Sequence, residues 1–541
     1  MEPMTLNFEG HTTTSVFDEA AERWPDNELF ALPSDPTRPY YPEGYSVSFV
    51  GAKCNVDHYK AALSDAGYGN GHRIACLLAN RPEIMWLKLA MNGIGVSWVP
   101  INPDYRPSEL AYVLADSAAD LIVIGREFVD LAQAALELLD KAPPILVLGE
   151  KFSPPPPNRP APLSGMPTPE GEASLLYTSG TTGRPKGCIL SHEYELSVGH
   201  WYAEIGGQLN IREGEERVYN PLPLFHLNAA IVLFFGMVLT GNCHISTARF
   251  SRSRWWNEIS ETRATGCHYL GIVVPSLMND PPSQNDQSHG LRWGAGAGVE
   301  PSLHRPFEER FGFPLIELWG MTEFCRILAD AHEPREIDTR AMGRPRPGFD
   351  ARVVDEDDKD VPFGTPGEMI VRHSEETPRR HAFSGYLNLP EETEKAWRGG
   401  WFHTGDTVTQ DETGMLYFVD RKKNIIRRSG ENIAAAEIEA CLQPLPEVDA
   451  IAVMPIEDEL RDEEVLACIV ANGTADNALA RKLFEHCFEH LAYFKAPGWI
   501  LFLDEIPVTG TQKIQKHMIF QEGEDPRQHP HIHDFRNLKR R

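Results

Sequence analysis

The sequence predicts an α/β protein, with a large N-terminal domain of layered, largely parallel sheets and helices and a small α+β C-terminal domain. Three observations carry this. The chain has 541 residues, well beyond the roughly 150 of a typical domain. Its first third alternates short apolar β runs with amphipathic helical patterns, as a sheet covered on both faces requires. Beyond Asp420-Arg421-Lys422-Lys423 the pattern restarts and fills about a hundred residues, a common domain size.

Taken in order, Arg73–Leu78 (RIACLL) reads as a strand, Pro82–Asn92 as an amphipathic helix and Gly95–Pro100 as a strand. Pro107–Asp116 follows as a helix opened by proline, then Ala119–Ile124 and Pro144–Leu148 as strands. Ser153-Pro154-Pro155-Pro156-Pro157 and the prolines up to Pro169 cannot pair in a central sheet and predict an exposed, stiff connection. The apolar run Ala229–Leu239 is too short to span a bilayer and predicts a buried helix. After the restart come helix Ala435–Cys441, strands Ala450–Val453 and Glu464–Val470, and helix Asn477–His490. This divides the chain into a large domain over 1–421, a small one over 425–520 and a flexible tail over 521–541.

Composition excludes some functions. Lys plus Arg is 51 against 78 for Asp plus Glu, a net charge of −27, which repels phosphate backbones and argues against nucleic acid as a partner. A local basic pocket for a small anion remains compatible. The nine cysteines form no C-x-x-C pair, so they predict buried small residues in a reducing compartment. Met1–Gly10 has two glutamates and no basic residue before an apolar core. The expectation is a cytoplasmic protein, not integral to a membrane.

The strongest chemical signal is Leu175-Leu176-Tyr177-Thr178-Ser179-Gly180-Thr181-Thr182-Gly183-Arg184-Pro185-Lys186-Gly187. An apolar strand runs into glycines that turn backbone N–H groups toward an anion, hydroxyls that donate to it and one lysine that supplies charge. It is a phosphate cradle but not a Walker loop, because Lys186 follows proline and precedes glycine. Cys188-Ile189-Leu190 then looks like a returning strand instead of a helix start.

These residues resemble the adenylate-forming superfamily of acyl-CoA synthetases, peptide-synthetase adenylation domains and beetle luciferases, from about Ala20 to Lys516. Within it the sequence is most similar to crotonobetaine/carnitine–CoA ligase-like carboxylate–CoA ligases. Pro281 to Asp286, Val419 to Ile433 and Arg461-Asp462-Glu463 carry that likeness. The resemblance implies ATP, Mg2+ and coenzyme A as cofactor and co-substrates. In Glu317-Leu318-Trp319-Gly320-Met321-Thr322-Glu323, Thr322 is expected on phosphate and Glu323 on the metal, with Trp319 where relatives place an adenine-packing tyrosine. Gly296-Ala297-Gly298 resembles the adenine-flanking turn, while Asp406 and Arg421 resemble the ribose contacts. Lys513, in a C-terminal lysine loop, is expected to bridge the substrate carboxylate and α-phosphate, leaving Lys516 exposed to solvent. The resemblance also implies a hinge over 422–424 centred on Lys423, and domain alternation that withdraws Lys513 and brings Arg428 to Asn432 toward the thiol channel, with Gly430 beside the pantetheine arm and Ser429 next to it.

The acyl pocket is expected at His226 and Asn228, with His226 bordering both carboxylate and thiol path, and at Cys267, His268, Tyr269 and Gly271, which lie where similar proteins line the acyl group. No aspartate follows Phe225 to hold an α-ammonium, which argues against an α-amino acid substrate. Trp201 and Tyr202 offer an aromatic face for a betaine, or plain core packing. The predicted activity is an acid–thiol ligase: an AMP-forming acyl-CoA synthetase acting on a short or functionalised carboxylic acid through an acyl-AMP, as a monomer or homodimer. The alternatives are a free-standing adenylation enzyme that loads a carrier protein and, in a different class, a non-catalytic nucleotide-binding regulator.

Overall fold

The computed structural model describes residues 5–149, 151–178, 184–270, 273–299, 301–325, 328–346, 348–421, 425–507, 516, 519–521 and 524–540. Two largely parallel sheets dominate the first part. In the seven-stranded sheet, strands Arg73–Leu77, Ser97–Pro100, Leu121–Ile124, Ile145–Val147 and Glu172–Thr178 run parallel, as their buried, β-branched sequences require. Lys186–Ser191 then returns antiparallel to Glu172–Thr178, the predicted course after the cradle. The eight-stranded sheet includes Gly266–Leu270, Trp293–Ala297 and Leu315–Trp319 side by side in parallel. A five-stranded antiparallel sheet carries Phe402–Gln410 and Leu416–Arg421.

Helices fill the space between the two parallel sheets, and one continuous core runs from Val16 through Trp86, Tyr202 and Phe235 to Phe402. Helix Glu83–Asn92 is buried on every side, including Lys88. Burial of that ammonium is tolerated because Lys88 Nζ donates to Glu195 Oε2 at 2.6 Å and Ser174 Oγ at 2.8 Å. The apolar run is buried too, but as a π-helical turn, Asn228–Leu233, that passes into helix Phe234–Thr240. Such turns are rare and recur at functional sites, and this one opens at Asn228. Among the described residues no helix is long and apolar enough to cross a membrane.

Residues from 425 onward build their own core around Ile433, Ile451, Leu483 and Phe502. Asp476 caps helix Asn477–His490 by accepting from Leu479 N at 2.9 Å. Two expectations need correction. The end of the chain is not free: Ile532–Asp534 pairs antiparallel with Trp499–Phe502, and Phe535 is buried against Phe484. An apolar pair three residues apart among histidines and arginines is too short a pattern to read as structure, yet it suffices to dock a strand on an open sheet edge. Lys516 is not solvent-exposed either, since it pairs with Glu439 at 2.7 Å and donates to Val453 O at 2.8 Å.

Candidate active site

A cavity of about 940 Å³ opens where the two parallel sheets, the antiparallel sheet and the C-terminal hairpin meet. Its volume lies at the upper end of ligand-sized sites, which run from about 300 to 1,000 Å³. Thr178 and Lys186 face each other across the strand pair and both line it. Ser179, Gly180, Thr181, Thr182 and Gly183, the turn between them, lie outside the described residues.

Strand Gly385–Tyr386 adds to the far edge of Lys186–Ser191 and slides the Tyr386 ring under the lysine. Lys186 Nζ sits 5.0 Å from that ring's centroid and donates to Glu392 Oε2 at 2.8 Å. The Tyr386 hydroxyl donates to Glu323 Oε1 at 2.7 Å. Burial, and then the Glu323 charge, push the phenol well above its ordinary range, so it stays a donor. One aromatic ring thus joins the lysine expected on phosphate to the carboxylate expected on metal. Tyr194 fixes the neighbouring backbone by donating to Thr322 O at 2.9 Å.

Trp319 ends a buried strand and lines the cavity with Leu318, Gly320 and Met321. Its indole Nε1 donates to Asp406 Oδ2 at 2.8 Å. A tryptophan in the place of tyrosine therefore keeps a polar handle, directed at the aspartate expected to hold ribose. Asp406 and Arg421 are register partners on adjacent strands. Glu317 is spent differently: its carboxylate accepts from Tyr269 OH at 2.7 Å and from Gly298 N at 2.8 Å. It pins the turn at Gly298, whose φ of +84° a side chain would strain. A Cβ at Gly296 would meet Tyr269 O at 2.2 Å, so that wall of the cavity is bare backbone.

The acyl end is organised around Asn228. Leu222 N can only donate, and it donates to Asn220 Oδ1 at 2.9 Å. Asn220 must therefore present its Nδ2 to Asn228 Oδ1, at 3.0 Å. His268 Nδ1, 2.7 Å from the same oxygen, is then the donor of its ring, and its Nε2 accepts from Tyr202 OH at 2.7 Å. Burial lowers the His268 pKa to about 3, so the ring is neutral and one donor is all it has. Asn228 lines the cavity with its oxygen doubly used and its Nδ2 without a protein partner among the described residues.

The expectation that His268 lines the pocket is thus corrected. It is fully buried behind Asn228, and Tyr202 is buried behind it, so only Trp201 of the expected aromatic pair reaches the cavity. Cys267 and Tyr269, also expected at the acyl group, do not reach it: they point to the opposite face of the sheet, as strand alternation requires. Gly271 lies outside the described residues.

On the C-terminal side, strands Ile425–Arg428 and Glu431–Ala434 form a hairpin turned by Ser429 at φ +52° and Gly430 at φ +88°. The hairpin tip lines the cavity, with His226 Nε2 lying 3.7 Å from Glu431 Oε2. A Cβ on Gly430 would meet Leu270 Cδ1 at 2.5 Å. Behind it, Lys495 joins Glu437 to Glu109 of the large domain, and Arg106 Nε donates to Leu491 O at 2.9 Å. Lys423 and Lys513 lie outside the described residues. Tyr386 and Glu392 were missed in the sequence because a two-residue strand and the helix that follows it bring them to the cavity; neither stands in a motif that announces it. Glu431 lies in the Val419–Ile433 motif, within the stretch expected at the thiol channel.

Comparison with known proteins places this geometry. The AMP-binding enzyme family matches residues 17–387, and the AMP-binding enzyme C-terminal domain matches 437–513. The chain is 30% identical to crotonobetaine/carnitine–CoA ligase of Citrobacter koseri, covering 94% of this chain and 98% of the relative. Among solved structures, it superimposes on an amide bond synthetase from Marinactinospora thermotolerans with a TM-score of 0.79 and 27% identity, over 93% of this chain and 98% of that one. The o-succinylbenzoate CoA synthetase of Bacillus subtilis gives the same TM-score at 22% identity over the same shares, a likeness of fold.

Proposed function

The chain belongs to the AMP-binding enzyme family, and from that premise we propose that it is an AMP-forming carboxylate–CoA ligase acting on a short acid that carries a hydrogen-bond acceptor. The observation that carries the substrate class is Asn228, held so that only its amide N–H groups face the acyl end of the cavity. A donor that cannot rotate into an acceptor selects a hydroxyl, carbonyl or carboxylate oxygen, and leaves an unpaired buried group when the acid is a plain alkyl chain.

The chemistry follows from charge. A carboxylate is ionised at neutral pH, so its oxygen attacks the α-phosphorus of ATP without a general base, and pyrophosphate leaves with the bonding pair. The obstacle is repulsion between anions, and Lys186, the Thr322 hydroxyl and Lys513 are assigned to offset it. Lys186 must exchange Glu392 for phosphate when ATP arrives. Magnesium would be held by Glu323, a hard carboxylate suited to a hard dication, and supplies charge neutralisation on the phosphates. Trp319 and the Gly296–Gly298 turn are assigned to adenine, and Asp406 with Arg421 to ribose. In the second step the CoA sulfur attacks the acyl carbonyl, the bond to AMP breaks and the thiol proton is released. The hairpin tip at Ser429 and Gly430, with His226 and Glu431, borders that path. Residues 422–424, with Lys423, are the assigned hinge between the two steps.

The amide bond synthetase likeness supports one second reading, in which an amine, not a thiol, receives the acyl group. The test is pyrophosphate release with ATP, magnesium and crotonobetaine, carnitine, 3-hydroxybutyrate, butyrate, benzoate or palmitate, each with and without CoA. Acid-dependent release accelerated by CoA, and faster for 3-hydroxybutyrate than for butyrate, is expected. Release that CoA leaves unchanged while an added amine or carrier protein accelerates it would move the acceptor.

A further inference from the structure

The last residues of the chain form a strap across the small domain. Strand Ile532–Asp534 pairs with Trp499–Phe502, Phe535 N donates to Gly498 O at 2.8 Å, and the Phe535 ring stacks 5.1 Å from Phe484. Arg536 lies 4.2 Å over the Trp499 ring and bonds Asp458 Oδ2 at 3.0 Å. This path delivers Lys539 to the interior, where its Nζ meets Glu464 Oε1 and both side chains have 0% exposure.

Glu464 is the link to the cavity. Its Oε2 accepts from Arg428 Nε at 2.8 Å and from Arg461 Nη1 at 3.3 Å. Arg428 is the residue from which the Ser429-Gly430 turn springs, and it lines the cavity. Its Nε is taken by Glu464, while its two Nη groups have no protein partner among the described residues. Gly498 presses bare backbone on the carboxylate stem, since a Cβ there would meet Glu464 Cγ at 2.3 Å. Three basic side chains from three segments therefore converge on one buried carboxylate: Oε2 faces the two arginines, while Oε1 faces Lys539 and the backbone N–H of Val465 at 2.9 Å. Burial, and then the two arginines, lower the Lys539 pKa to about 7.

We propose that Lys539 is a positioning residue for acyl transfer: by occupying Oε1 of Glu464 it keeps Oε2 on Arg428, and so holds the hairpin tip and the Arg428 charge at the cavity. Neither Lys539 nor Glu464 lines the cavity, and Glu464 reaches it through Arg428 at the hairpin assigned to acyl transfer, so the effect falls on the second half-reaction. This inference rests on the CoA-ligase reading.

The test separates the half-reactions, using whichever acid of the panel above releases pyrophosphate fastest. Adenylation is followed by ATP–pyrophosphate exchange without CoA, and acyl transfer by single-turnover reaction of preformed acyl adenylate with CoA. Lys539→Met is expected to slow acyl transfer about tenfold, with exchange within about twofold, because a charge-assisted hydrogen bond contributes roughly 1.5 kcal/mol. Arg428→Gln should give the same selective defect, and the double variant should be no slower than the worse single, as coupled residues require. Arg540→Ala, an exposed neighbour, should match the wild type. Equal loss of both half-reactions, unchanged acyl transfer in Lys539→Met, or additive defects in the double variant would overturn the inference. If the wild type exchanges pyrophosphate but forms no thioester, the ligase reading itself fails, and with it this role.

Discussion

Trp319 combines two demands in one ring: a flat apolar face toward the cavity and an N–H that orients Asp406. Phenylalanine would keep the first and lose the second. A hydrogen bond to an ionised group contributes about 1.5–3 kcal/mol, so Trp319→Phe should raise the KM for ATP about tenfold and leave kcat within about twofold, read from steady-state kinetics. Asn228 is a comparable case at the acyl end. Asn228→Leu keeps the size and removes the only donor that the Asn220–His268 network turns toward the cavity. It should lower kcat/KM for 3-hydroxybutyrate about tenfold and leave butyrate within about twofold. An equal loss for both acids would mean that Asn228 serves packing, not selection.

At the scale of elements, the hairpin Ile425–Ala434 is the part that the proposed reaction assigns to its second step. Its tip approaches Leu270 so closely that only glycine fits at 430, and a φ of +88° disfavours any side chain by about 1–2 kcal/mol. Gly430→Ala should therefore cut single-turnover acyl transfer by roughly tenfold while ATP–pyrophosphate exchange stays within about twofold. Elements of this size divide into those the sequence exposes and those it hides. Helices Pro107–Asp116 and Asn477–His490 stand at their sequence-read bounds because proline opens the first and Asp476 caps the second. Lys186, Glu323, Trp319 and Asp406 stand in contiguous motifs, and the structure brings them to one cavity. Tyr386 and Glu392 come from a two-residue strand and a seven-residue helix whose pairing spans some two hundred positions of chain, which no local pattern records. His268 shows the limit of alternation: period two places it on the face opposite Cys267, but not its depth behind Asn228.

For the whole molecule, the core between the parallel sheets holds several neutral histidines. Burial lowers His192, His244 and His268 to about 3 each. Between pH 6.5 and 3 the unfolded chain binds more protons than the folded one, so stability is retained above pH 6.5 and lost as pH falls through that window. Each histidine contributes about 1.4 kcal/mol per pH unit there, so the three together cost up to roughly 4 kcal/mol at pH 5.5. Urea unfolding at pH 7.5 and 5.5 reads this loss. His244 has no hydrogen bond on either ring nitrogen among the described residues and packs against Phe30 and Phe234. His244→Leu should therefore remove about a third of the pH dependence, and a slope unchanged by it would contradict the assignment.

The central step of the proposed reaction is attack of a carboxylate oxygen on the α-phosphorus of ATP. The most direct test supplies the preferred acid with both carboxylate oxygens as oxygen-18, together with ATP, magnesium and CoA, and weighs the products by mass spectrometry. An acyl-adenylate route puts one labelled oxygen in each AMP and leaves one in each acyl-CoA. Unlabelled AMP, or label in phosphate beside ADP, would contradict it.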